Sequence, residues 1–92
     1  MLAHVLRYNY LTNMHKQKSI AQLMNDPHKD AADAVSDLVK SLGLPTRLRD
    51  VGIKQSDLKQ VAENSMKDKW IHTNPNKISS ASDVMAILES AW

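Results

Sequence analysis

Cysteine is absent from the 92 residues, which excludes disulfides and thiolate metal sites and leaves packing alone to support a small chain. Phenylalanine is absent as well, and two tryptophans and two tyrosines are the only large aromatic residues. With no alternating apolar pattern either, no segment gives a strand signal. Two glycines and three prolines leave little material for repeated tight turns. No apolar run approaches the roughly 20 residues of a membrane span. The opening stretch MLAHVLRYNY lacks the basic start, long apolar region and small-residue cleavage site of a signal peptide. Twelve basic against ten acidic side chains leave a net charge of +2, and the charges are interspersed. That is too little to infer nucleic-acid binding. The expectation is a cytoplasmic protein with no membrane partner.

What is present points to helices. Apolar residues make up 42% and charged residues 24%, the balance of a soluble globular chain, and the length suits one small domain, residues 1–92. Leu2, Val5 and Leu6 stand at helical spacing, but no capping residue precedes them, so the first helix reads as one whose beginning is missing. A second helix is predicted from Asn13 to Met24, with Ile20, Leu23 and Met24 as its apolar face. The third is the best marked. Asp26 is placed to cap it, Pro27 suits its first position, and Ala31, Val35, Leu38 and Leu42 recur at steps of four, three and four. Lys29, Asp30, Asp33, Asp37 and Lys40 cover the opposite face. Gly43 in a left-handed conformation, with Leu44 folded back onto Val39 and Pro45 behind it, ends this helix.

A short helical turn at Thr46 to Val51 and a break at Gly52 follow. Ser56 then opens a fourth helix with Leu58, Val61, Ala62 and Met66 inward and Glu63 paired with Lys67 outside. Residues 70–78, WIHTNPNKI, read as a loop, because Asn74 before Pro75 is pushed away from helical geometry. A capping box of Ser80 and Asp83 starts the last helix, which turns Val84, Ile87, Leu88 and Ala91 to one side. The fold class expected is all-α, a small bundle of four or five helices.

Few residues propose chemistry. His4, His15, His28 and His72 are scattered, with no pair at i,i+3 or i,i+4 and no accompanying carboxylate cluster, and read as surface or capping histidines. No serine lies in a G-x-S-x-G elbow, and both glycines stand at helix ends, which leaves no phosphate loop. Met24, Met66 and Met85 fall on or beside apolar faces and read as core. No catalytic, cofactor-binding or metal-ligating residue is assigned. Leu48, Gly52, Ile53 and Leu58 have the spacing of a helix-turn-helix. The position four before the glycine is Leu48, where a small residue is usual, and Asp57, Lys59, Gln60 and Glu63 give no basic recognition face. A small helical interaction module, in that DNA-binding form or another, is the alternative reading.

The chain as a whole carries more than its motifs. MLAHVLRYN resembles the M-L-P-H-V-L-R-Y/F-N segment of iron-containing (group III, metal-dependent) alcohol dehydrogenases, with Ala3 where proline is common. SLGLPTRLRDVGIKQSDL resembles that family's L-G-L-P-T-x-L-R-x-x-G-V-x-x-x-D-L. The Thr73, Asn74, Pro75 turn and the closing SDVMAILESAW resemble its T-N-P-R and D-V-x-x-L-L-x-x-A-W, with Asn76 in the arginine position. Three segments match in order, at compatible spacing, along nearly the whole chain.

The resemblance implies that these residues are the C-terminal part of a helical domain. In the family a nucleotide-binding α/β domain precedes it, and iron or zinc sits between the two, held by one aspartate and three histidines. Those ligands lie ahead of the segment that Met1 begins, and His4 is not one of them. Iron or zinc and NAD(P) are therefore expected for a full-length member and neither for this chain, which is expected to be truncated at its N-terminus and inactive alone. The related maleylacetate reductases have similar endings, so the resemblance leaves the substrate open. By the Asn-Pro turn, Trp70, His72, Thr73 and Asn74 are the candidates for lining the cleft. The competing expectation is that Asn74 and Pro75 only separate two helices and that Trp70 is core. Self-association through uncovered apolar helix faces is also expected, with Trp92, Met85, Leu2, Val5 and Leu6 as candidates.

Overall fold

The structure is a computed structural model that describes residues 1–92. The chain forms four α-helices, α1 (Leu2–Leu23), α2 (Ala31–Ser41), α3 (Leu58–Ser65) and α4 (Ala81–Ala91), with 3₁₀ turns at Leu48–Val51 and Gln55–Asp57 between α2 and α3 and at Lys69–Thr73 between α3 and α4. No residue lies in a strand, in keeping with the all-α expectation.

The two helices predicted for the first 24 residues are the two arms of α1. Asn13 inside it has non-helical backbone angles, φ −130° and ψ 34°. The kink is sharp. Gln17 Nε2 donates to the carbonyl of Leu6 at 2.7 Å and to Asn13 Oδ1 at 2.8 Å, whereas a straight helix would separate positions 6 and 17 by about 16 Å along its axis. Folding back buries Asn9, Gln17 and Ala21. The predicted face of Ile20, Leu23 and Met24 is displaced: Ile20 and Leu23 are exposed and Met24 is half-buried.

A Schellman arrangement ends α1. Asn25 takes the left-handed conformation (φ 61°), and the amides of Asn25 and Asp26 donate back to Gln22 and Ala21. Asp26 thus closes α1 instead of opening α2, which starts at Ala31 with Asp30 as its N-cap. The far end of α2 is as predicted, with Gly43 at φ 71° and the Leu44 amide donating to the Val39 carbonyl at 3.2 Å. Its buried face is not. Ala31, Ala32 and Ala34 are buried, while Leu38 and Leu42 remain 48% and 64% exposed. The alanines are small enough to let α2 lie close against the folded arms of α1, and an Arg7–Asp33 ion pair of 2.8 Å tethers the rotation that results.

The main core lies between α3 and α4, where Leu58, Ala62, Ile78, Val84, Ile87 and Leu88 form one buried cluster with Val5 and Tyr8 of α1 packed against it. The Asp83 carboxylate accepts from the amides of Ser79 and Ser80, fixing the start of α4 where it was predicted. α3 ends at Ser65, so Lys67 lies in the following turn and the expected pair with Glu63 does not form. Before Gly52 there is only the single turn Leu48–Val51. The first helix that a helix-turn-helix requires is missing, and Gly52, at φ 85°, caps that turn instead.

Candidate functional site

An apolar groove of about 590 Å³ opens above the α3–α4 core, within the range of small-molecule sites. Its floor is the core itself, Leu58, Ile78, Val84, Ile87 and Leu88. Val5 of α1, Leu48 and Ile53 of the glycine-capped turn and Val61 of α3 form its walls, and the segment from Trp70 to Pro75 forms its rim. Val61, expected inward, thus faces the groove and is partly exposed.

The rim was expected to be an irregular loop, but its first half is the 3₁₀ turn Lys69–Thr73. The turn forms because the Asp68 carboxylate accepts from the Trp70 amide at 2.9 Å and the Thr73 hydroxyl donates to the Trp70 carbonyl at 2.7 Å. Trp70 is 67% exposed and is not a core residue, and Lys69 Nζ sits 4.9 Å from the centre of its ring. Of the four residues singled out in the sequence, Trp70, Thr73 and Asn74 line the groove. His72 does not. Its Nε2 lies 3.3 Å from the carbonyl of Met66, at the end of α3.

Asn74 is held by a polar clamp that sequence reasoning missed. Its carboxamide is paired with that of Asn9 in both directions, at 3.0 and 2.6 Å. Asn9 Oδ1 also accepts from the Asn76 amide at 3.2 Å, and Asn76 Nδ2 donates to the Tyr8 carbonyl at 2.8 Å. The Tyr8 hydroxyl donates to the carbonyl of Lys77 at 3.2 Å, and burial, followed by the charge of Asp83, raises the phenol pKa. Residues 65 or more positions apart are joined in this way, beyond the reach of any local periodicity. The one available signal was that Asn9 and Asn74 both lie inside matched motifs, RYN and TNP.

The polar groups at the rim are satisfied by one another, so the groove presents an apolar wall. No three of the histidine, aspartate and glutamate side chains come together. His4 faces Ser90 on α4, with 3.3 Å between Nδ1 and the hydroxyl oxygen, and His15, His28 and His72 are exposed. The residues present do not fit an iron or zinc ion. No helix is long and apolar enough to cross a membrane.

Residues 1–92 match the family described as Fe-containing alcohol dehydrogenase family, C-terminal. Among curated proteins, the chain is 34% identical to 1,3-propanediol dehydrogenase of Klebsiella pneumoniae, over 100% of this chain and 26% of that protein. It is 36% identical to 1,3-propanediol dehydrogenase of Citrobacter freundii, over 84% of this chain and 22% of that protein. Lactaldehyde reductase of Escherichia coli K12 is 29% identical, again over 100% of this chain and 26% of its own length. The chain thus spans about a quarter of the length of these relatives. No solved structure matches it.

Proposed function

The chain belongs to the Fe-containing alcohol dehydrogenase family, matching its C-terminal region throughout, and on that premise we propose that it is the helical C-terminal part of a metal- and NAD(P)-dependent oxidoreductase. The substrates proposed for the whole enzyme are small alcohols or aldehydes, the class to which the names of the propanediol dehydrogenase and lactaldehyde reductase relatives belong. The single observation that carries the site assignment is the convergence of Trp70, Thr73 and Asn74 on one apolar groove. In the assembled enzyme this rim forms part of the substrate cleft, where it excludes water and shapes access. In the whole enzyme, iron or zinc would supply Lewis acidity and the nicotinamide would take the hydride from an alcohol or give it to an aldehyde, both held by residues other than these. These 92 residues alone are inactive, because hydride transfer needs a donor set and a nucleotide site that they do not provide.

A chimera tests the proposal. Residues 1–92 replace the matching segment of the Klebsiella relative, and kcat/KM and melting temperature are measured for that enzyme and for its Trp70→Ala and His72→Ala forms. Trp70→Ala is expected to lower kcat/KM by more than its effect on stability explains, and His72→Ala to leave it unchanged. Equal kinetics for all three, with only the melting temperature altered, would restrict the rim to a structural role. NAD(P)H oxidation by the 92-residue chain with iron or zinc, above the uncatalysed rate, would overturn the proposed inactivity.

A further inference from the structure

We infer that Asn9 of α1 is a positioning residue for the substrate cleft, acting through the placement of Trp70, a role that rests on the rim forming part of that cleft. The segment carrying Trp70 is stiff within itself. The amides of Ile71 and Asn74 donate to the carbonyls of Asp68 and Ile71, and the Asp68 carboxylate and Thr73 hydroxyl brace the same turn. It therefore moves as a unit. One end continues directly from α3. At the other end, every hydrogen bond from residues 74–77 to a different element runs to Tyr8 or Asn9, and Pro75 has no amide hydrogen to add another.

The chemistry of Asn9 suits this task. Its Oδ1 accepts from Asn74 Nδ2 at 2.6 Å and from the Asn76 amide at 3.2 Å, while its Nδ2 donates to Asn74 Oδ1 at 3.0 Å. A carboxamide donates and accepts through two separate arms; a hydroxyl has one arm and a carboxylate donates nothing. Because Asn9 is buried, the bonds are held in a medium where they are stronger than at the surface.

Val5 stands four residues earlier on the same helix, hence on the same face, and lines the groove. A single turn of α1 thus carries both a wall of the groove and the anchor of its rim. The separation of Val5 and Trp70 is set through Asn9. The wall at Ile53 has its own fastening, since the Trp92 indole donates to the Ile53 carbonyl at 3.1 Å with Arg49 over its ring. Without Asn9 the turn is free to pivot about the end of α3, and a displacement of about 1 Å in a group that orients substrate costs up to about 100-fold in rate.

A double-mutant cycle in the chimera carrying residues 1–92 tests this, with Gln17→Ala as comparator. Gln17 is buried on the same helix but bonds only to Leu6 and Asn13. Asn9→Ala is expected to lower kcat at least about tenfold with KM changed by less than about threefold. Adding it to Trp70→Ala should slow the enzyme no further than Trp70→Ala alone. Gln17→Ala should lower the melting temperature comparably and leave kcat within about twofold. In the 92-residue chain, Asn9→Ala should shift the Trp70 indole N–H resonance and leave that of Trp92 in place. If Asn9→Ala does not fold, Asn76→Ala, which removes only the bond to the Tyr8 carbonyl, should give the same pattern at about threefold. Should Trp70→Ala slow the enzyme while Asn9→Ala behaves like Gln17→Ala, or should the two losses multiply, the inference is overturned and the cleft reading stands. Unchanged kcat and KM in Trp70→Ala overturn both.

Discussion

The carboxamides of Asn9 and Asn74 donate to each other's oxygens at 3.0 and 2.6 Å across 65 residues of sequence. Asn9 is 5% exposed, so the pair replaces water for groups that burial would leave unsatisfied. It fastens the groove rim to the first arm of α1 and thereby positions Trp70 and Thr73.

Asn9→Ala leaves the Asn74 carboxamide only its bond to the Asn76 carbonyl, and Asn74→Ala leaves that of Asn9 only the Asn76 amide; each is expected to destabilise the chain by about 1–3 kcal/mol. The double substitution should cost less than the sum of the two, with a coupling of about 0.5–3 kcal/mol. Urea unfolding of the three variants measures this. Strict additivity would mean that the two residues do not act as a pair.

Leu58 is fully buried while Leu42 is mostly exposed, although both stand at apolar positions of the helical pattern. Leu58→Ala is expected to remove about 2–5 kcal/mol of stability, and Leu42→Ala to change it by no more than about 0.5 kcal/mol. Chemical denaturation that found comparable losses would place the leucine stripe of α2 in a core after all.

Gly43 and Gly52 have φ of 71° and 85°, and a Cβ added at either would meet nothing within 4 Å. Alanine there meets backbone strain without a steric clash, and a loss of about 1–2 kcal/mol is expected at each position. The melting temperature should fall in both variants with helicity unchanged. No fall for Gly52→Ala would show that the left-handed cap is dispensable.

His4 titrates below its ordinary value of 6.5, chiefly because of burial and then through the positive charges of Arg7, the amino terminus and Arg47. A lowered folded-state pKa means that the unfolded chain takes up this proton first as the pH falls. Above about pH 6.5 the histidine is neutral in both states and contributes nothing, and stability declines as the pH drops below that value. His4→Gln should flatten that part of the pH profile in urea titrations at a series of pH values. An unchanged slope would assign the dependence to the carboxylates.

Local rules made much of the fold legible. The Gly43 cap, the Asp83-anchored start of α4, its buried stripe of Val84, Ile87, Leu88 and Ala91, and the all-α class follow from residues within one or two helical turns of each other. The matched motifs also identified the family and drew attention to Trp70, His72, Thr73 and Asn74, of which His72 lies off the groove. What periodicity missed depends on which elements meet. Leu38 and Leu42 have the pattern of a core face, yet the partner surface selected the alanines of α2, because the folded arms of α1 approach most closely where side chains are small. Asp26 and Pro27 have the pattern of a helix start, and only the path of the chain out of α1 gives Asn25 the left-handed cap. The Asn9–Asn74 clamp and the apolar groove likewise exist only once α1 lies beside the end of the 3₁₀ turn. Sequence set the helices, because their hydrogen bonds and caps are local. Tertiary structure chose the buried faces and the site, because burial and long-range pairing depend on neighbours that distance along the chain does not encode.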